Sequence, residues 1–231
     1  MARKPRFSPG GLAYHVMNRT PGRVRLFEDV ADYLAFEKAL AEALDLHRGM
    51  RLCAYCLMPN HFHLVLWPRT DGQLSRFIQW LAMTHAARWH AHRRSVGRGH
   101  LYQGRFRSFP IQQDHHFLNV CRYVERNALR AKLVAKAQDW KWGSLWARSD
   151  RSSTIRPLLA PWPVERPARW VTMVNHAEAP DELDALRRAV ARARPYGDDR
   201  WMERTAKTLG IESSLRPVGR PKKPASDEKG L

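Results

Sequence analysis

The sequence predicts an α+β protein: a ferredoxin-like βαββαβ antiparallel sheet with helices on both faces, followed by a helical carboxyl-terminal extension. Three observations carry that expectation. Strand-like runs occupy residues 12–19, 51–67 and 106–111, with alternation plain at Phe62, Leu64 and Leu66; apolar residues repeat at helical spacing over 28–47 and 73–91; and Pro59-Asn60 divides the central run into a hairpin. In a split βαβ sheet of this order both crossover helices cover one face, which leaves a third helix, from about residue 115 to 132, for the other.

The first strand is residues 12–19, and Thr20-Pro21-Gly22-Arg23 turns out of it. Glu28 and Asp29 place negative charge at the start of the first helix, whose stripe is Tyr33, Phe36, Leu40, Ala43 and Leu44; Gly49 ends it. The hairpin pairs residues 51–58 with 61–67. In its second strand Phe62, Leu64 and Leu66 alternate with His61, His63 and Val65, so two imidazoles project from one face. If the apolar set faces the crossover helices, the histidines look toward the third helix. The second crossover helix, residues 73–91, carries Leu74, Phe77, Ile78, Leu81, His85 and Trp89 on one stripe. His85 and His90 read as solvated or capped histidines rather than ligands. Residues 93–105 are too rich in Gly and Arg for a regular element and suit a phosphate backbone, with Tyr102 interleaved among the charges as at a stacking surface. Residues 106–111 form the fourth strand, and Asp114 caps the third helix, with Leu118, Cys121, Val124 and Leu129 among its apolar positions.

Composition narrows the partners. The chain has 231 residues, 44% of them hydrophobic, enough for a substantial core. Forty Lys and Arg against 22 Asp and Glu give +18, a field that attracts phosphate polymers in a salt-dependent way, with anionic membrane surfaces as the rival. No apolar run approaches the ~20 residues that span a bilayer, and the basic start Met1-Ala2-Arg3-Lys4-Pro5-Arg6 is not followed by an apolar signal core. The expectation is a cytoplasmic, nucleoid-associated protein with no membrane partner and no small-molecule cofactor. Cys53, Cys56 and Cys121 are odd in number, and the Cys53-x-x-Cys56 pair is expected on opposite faces of its strand, as buried free thiols.

Chemistry enters with two motifs. His61-x-His63 alone reads as a half-buried, hydrogen-bonded pair; with a third ligand it becomes a metal grip. Tyr123 and Asn127 lie four residues apart, one turn from each other on one helix face. Two imidazoles and one amide oxygen leave open positions at which a scissile phosphate can be polarised and presented to the Tyr123 phenol. Phosphate substrates favour Mg²⁺ or Mn²⁺. A structural zinc site from His61, His63 and Cys56 is a weaker rival; the principal rival is a non-cleaving ferredoxin-like module that only binds nucleic-acid hairpins. Recognition sheets of that kind stack bases on exposed aromatics, and here the corresponding face offers histidines.

These residues carry a resemblance. MPNHFHLVLWP, then GHLYQGRFRS, then YVERNALRAKLV resemble the HUH-type tyrosine transposases, specifically the REP-associated tyrosine transposases, relatives of the insertion-sequence-200-like enzymes. YHVMNR, WKWGS and LGIESSLRPVGRPKK extend the likeness over most of the chain. The resemblance implies that His61, His63 and Asn127 hold the metal and that Tyr123 attacks single-stranded DNA beside a hairpin, becoming joined to the 5′ phosphate and releasing a 3′ hydroxyl. It departs from the family where Asn-Pro and a later Gly are common: here stand Asn127-Ala128 and Lys132, and Ala128 is expected to let the helix continue past the ligand.

Three regions are expected: a catalytic domain over residues 1–137, a helical DNA-recognition extension over 138–215 and a basic tail over 216–231. Residues 149–168, rich in Pro, Ser and Arg, suggest an irregular wrap over the core; helices follow at about 168–175, 181–194 and 198–209, the last ended by Gly210. Candidate DNA contacts are Arg19, Arg98, Arg105 and Arg107 in the core, Arg187 and Arg188 on the middle helix, and Arg220 and Lys222 in the tail, where Arg among Gly and Pro resembles a minor-groove arm. The expected partner is a REP-like single-stranded DNA hairpin, bound by a monomer or a homodimer.

Overall fold

The structure is a computed structural model that describes residues 7–97 and 99–216. Its sheet has four antiparallel strands, β1 (Ala13–Arg19), β2 (Arg51–Met58), β3 (His61–Trp67) and β4 (Arg107–Ile111), in the order β2-β3-β1-β4. That is the ferredoxin-like arrangement expected from the element order. The crossover helices are α1 (Val30–Leu46) and α2 (Gln73–His92). Asp29 caps α1, its carboxylate accepting from Asp32 N at 3.0 Å.

Strand alternation sorts side chains into two cores. Val16, Tyr55, Leu57, Phe62, Leu64 and Leu66 pack with Phe36, Leu40, Phe77 and Leu81 of the crossover helices. Ala13, Val65, Phe109 and Ile111 pack on the other face with Phe117, Val120, Cys121 and Val124 of α3 (His115–Glu125). Burying Phe62, Leu64 and Leu66 therefore commits His61 and His63 to the α3 side, since a strand has a period of two.

Three local expectations need correction. A bulge between Leu52 and Ala54 inserts Cys53, so Cys53 and Cys56 share the α3-side core instead of opposite faces. Both are free, buried thiols, and burial pushes each up to about 12. His85 is not solvated: it is 2% exposed, and its Nδ1 lies 2.7 Å from the Tyr102 hydroxyl. Tyr102 is accordingly a core residue with a satisfied phenol and offers no surface for a base. Finally, the third helix is interrupted. It ends at Glu125, and α4 (Asn127–Arg130) follows at once, closed by Lys132 at φ 59°.

The chain then wraps the sheet. Leu57 N donates to Trp142 O at 2.8 Å and Ala160 N to Leu52 O at 2.8 Å, which satisfies the outer edge of β2. At the opposite edge Tyr196 N donates to Pro110 O and Gln112 N to Tyr196 O. Both edge strands are thus covered, as a stable open sheet requires. Helices α5 (Ser144–Ser149), α6 (Trp170–Asn175), α7 (Pro180–Arg192) and α8 (Asp199–Leu209) complete the extension. Its anchor on α3 is Glu125, 3% exposed, whose oxygens accept from Ser144 Oγ and Trp170 Nε1, each at 2.6 Å. Among the described residues no helix is long and apolar enough to cross a membrane.

Candidate active site

Antiparallel register sets the site. On β1 and β3, Met17 faces His63 and Arg19 faces His61, so the carboxyl end of β1 and the amino end of β3 meet beside α3. There a cleft of about 370 Å³ is lined by Arg19, His61, His63, Tyr123, Asn127 and Arg130 among others. The structure thus brings together four residues picked from two distant motifs. The His61 and His63 rings stand edge to face, 4.9 Å between centroids, and the Tyr123 ring lies 6.0 Å from His63. Tyr123 is 8% exposed.

Each imidazole is held by a neighbour. His61 Nδ1 is 2.6 Å from Asn60 Oδ1, and His63 Nδ1 is 2.8 Å from His15 Nε2. With the Nδ1 atoms engaged, the Nε2 atoms are the ones left to ligate, the usual division of labour in histidine metal sites. Burial lowers the His61 pKa to about 4, with Arg19 and Arg130 adding repulsion; His63 is pushed well below the ordinary histidine value by burial, then by His61, His15 and Arg130. Both rings are therefore neutral at pH 7, the form that binds a cation. The amide of Asn127 is buried, and its Nδ2 has no hydrogen-bond partner among the described residues. Two neutral imidazoles and a carboxamide, which offers its oxygen as a ligand, line one cleft, a donor set that fits a divalent cation.

The sequence model of the family described as "Transposase IS200 like" matches residues 10–127, just over half of the 231 residues, and spans both motifs of the cleft. The chain belongs to this family of IS200-like transposases. Among solved structures, the chain is similar to a REP-associated tyrosine transposase bound to a REP hairpin, at 17% identity and a TM-score of 0.52, over 71% of this chain and 94% of that one. It is also similar to a transposase candidate from Deinococcus radiodurans R1, at 19% identity and a TM-score of 0.36, over 54% of this chain and 96% of that one. The first likeness supports the fold. No curated protein matches the chain.

In this IS200-like transposase the expected DNA contacts separate. Arg19, Arg105 and Arg107 line a groove of about 320 Å³ that shares Met17 and Arg19 with the cleft. Arg19 Nε donates to Gln103 Oε1 at 2.7 Å, and Arg107 Nη1 to Ala191 O at 3.2 Å. Arg187 and Arg188 are exposed on α7 and line neither cavity; Arg187 pairs with Asp184 at 3.3 Å. Arg98, Arg220 and Lys222 lie outside the described residues. A second cluster with ligand chemistry, Asp114, His115 and His116, sits at the start of α3, nine residues and about 13 Å of helix from Tyr123. Its closest contact, Asp114 Oδ1 to His116 Nδ1 at 2.8 Å, belongs to the helix cap.

Two residues at the site, one behind the cleft and one lining it, escaped the sequence reading. His15 was only part of a strand pattern, and its signal was parity: β1 lies next to β3, and His15 has the same facing as Met17 opposite His63. Arg130, three positions beyond Asn127 on the same helical face, lies with its guanidinium carbon 4.1 Å from the Tyr123 ring centroid.

Proposed function

We propose that the protein nicks and rejoins single-stranded DNA at hairpin-forming repeats through a tyrosine-linked 5′ phosphate. Tyr123 is the nucleophile, and His61, His63 and Asn127 hold Mg²⁺ or Mn²⁺. One observation carries this: Tyr123 and the three candidate ligands line a single cleft of one chain. A bound divalent cation supplies Lewis-acid polarisation of a phosphate oxygen. The Tyr123 phenolic oxygen bonds to phosphorus as the bond to the 3′ oxygen breaks; the phenol gives its proton to solvent, and the released 3′ oxygen takes one up. One phosphodiester is exchanged for another, so the reverse attack by a 3′ hydroxyl reseals DNA without a further energy source.

The arginine groove that opens from the cleft supports a strand path over Arg19, Arg105 and Arg107, where guanidinium forks suit phosphate oxygens. The partner bound in the similar solved transposase, a REP hairpin, supports a REP-like hairpin as the substrate here. We assign residues 1–137 to catalysis and residues 138–215 to hairpin recognition, with Arg187 and Arg188 as stem contacts and residues 216–231 as a basic tail. Because Tyr123 faces the histidines of its own chain, a monomer suffices. Action on DNA places the protein in the cytoplasm, at the nucleoid.

The deciding experiment incubates a 3′-labelled hairpin oligonucleotide with protein and Mn²⁺ or Mg²⁺ on a denaturing gel, beside Tyr123→Phe. A labelled band that travels with the protein, requires metal and vanishes in the variant is the expected result. Tight binding without adduct or cleavage across several hairpins and both metals overturns it in favour of a non-cleaving hairpin-binding module.

A further inference from the structure

Three arginines spaced one turn apart, Arg122 on α3, Arg126 at its end and Arg130 on α4, hold the extension against the tyrosine helix. Arg122 Nη2 donates to His176 O at 3.0 Å and Ala177 O at 2.9 Å, and Arg126 Nε donates to His176 O at 2.9 Å. The third, Arg130, behaves differently. Its Nη1 lies 2.9 Å from Glu178 Oε1, its Nη2 donates to Tyr123 O at 3.2 Å, and its guanidinium covers the Tyr123 ring at 4.1 Å. The Glu178 side chain is 2% exposed and also faces Arg126 at 3.7 Å. A planar guanidinium gripped by a buried carboxylate at one nitrogen and a carbonyl at another has its plane determined, and the ring stacked on it is confined in turn.

We propose that Arg130 is a positioning residue for Tyr123 and that Glu178 holds Arg130, so that the extension completes the cleft it packs against. The proposal rests on reading Tyr123 as the nucleophile, but its geometric content does not depend on cleavage. Glu178 lies 48 positions beyond Arg130, outside the segment that matches the family. A phenol in line with a phosphate tolerates little displacement; misplacement by about 1 Å costs on the order of 100-fold in rate. The rival reading is that all three arginines merely dock the extension. Arg122 separates the two, because it grips the same backbone without touching the Tyr123 ring.

The test compares full-length wild type, Arg130→Lys, Glu178→Gln and Arg122→Gln, with folding checked by thermal unfolding. Two readouts are taken: nuclear Overhauser contact between selectively labelled Tyr123 and His63 rings in metal-free protein, and the single-turnover rate of adduct formation on a 3′-labelled hairpin. We expect Arg130→Lys and Glu178→Gln to lose the ring contact and to slow the adduct step about tenfold or more, with hairpin affinity unchanged. The double variant is no slower than Arg130→Lys alone, since both act through one contact. Arg122→Gln keeps the ring contact and the rate. A ring contact that persists in Arg130→Lys and Glu178→Gln, or one that Arg122→Gln loses equally, overturns the proposal. A wild type that keeps the contact yet forms no adduct overturns the role of Tyr123 as nucleophile and leaves its positioning by Arg130 supported.

Discussion

Nε2 of His15 lies 2.8 Å from Nδ1 of His63, with both rings buried and His15 stacked on Phe109 at 4.8 Å. A neutral ring at each position lets one proton sit between them, and the orientation it enforces leaves His63 Nε2 toward the cleft. His15→Phe keeps the stack and removes the acceptor. Partners of this kind are worth about 10- to 100-fold in metal affinity, so Mn²⁺ binding followed by electron paramagnetic resonance should weaken by that order while hairpin affinity stays unchanged. Unchanged Mn²⁺ affinity would show that His15 only fills space.

His63→Ala separates chemistry from binding. Backbone contacts dominate single-strand affinity, and on the proposed strand path they come from the arginine groove rather than from the imidazoles. Adduct formation should disappear while most hairpin affinity, measured by fluorescence anisotropy, survives. Equal loss of both would place His63 in the binding surface.

Arg107→Ala tests the groove itself. On single strands each neutralised phosphate contributes about −0.7 to the slope of log K against log salt, so the variant should flatten that slope by about 0.7. An unaltered slope with weaker binding would mean that Arg107, which also donates to Ala191 O, supports the α7 contact instead.

Lys132 adopts φ 59° at the end of α4, a left-handed conformation that glycine accepts more readily. Its neighbour Leu133 N donates to Ala128 O at 3.0 Å, closing the helix. Lys132→Gly should therefore raise stability by about 0.5–1 kcal/mol in urea unfolding, the relief of strain exceeding the added chain entropy. A loss of stability would mean that the lysine side chain contributes more than its backbone costs.

Asp32 carries the clearest acid sensitivity. Burial raises its carboxyl, but the fork from Arg93, at 2.9 and 2.5 Å, and backbone donors at Glu28 and Asp29 outweigh it and leave the pKa lowered. A depressed carboxyl stabilises the fold above its unfolded value and loses that contribution as pH falls through the folded one. Asp32→Asn should cost about 1.5–3 kcal/mol near pH 6, and the gap from wild type should narrow as pH falls below the ordinary carboxylate value and through the lowered folded one. A gap independent of pH would assign the loss to packing.

Much of this was legible in one dimension. The two crossover helices, the hairpin and the four-stranded sheet follow from apolar periods and from Pro59-Asn60, all of which act over a few residues. The His61/His63 pair and the Tyr123/Asn127 pair were visible for the same reason, as period-two and period-3.6 spacings that point side chains one way.

Contacts between distant elements were decided by the tertiary structure. The bulge at Cys53 reversed the facing of a cysteine, because one inserted residue shifts strand parity and no local composition announces it. His85 and Tyr102 became a buried pair because residues 99–105 lie against α2, an outcome governed by loop closure rather than by charge pattern. His15 reached His63 through the pairing of β1 with β3, and Glu178 reached Arg130 across 48 positions. Periodicity chooses the face on which a side chain lies; packing of whole elements chooses which faces meet.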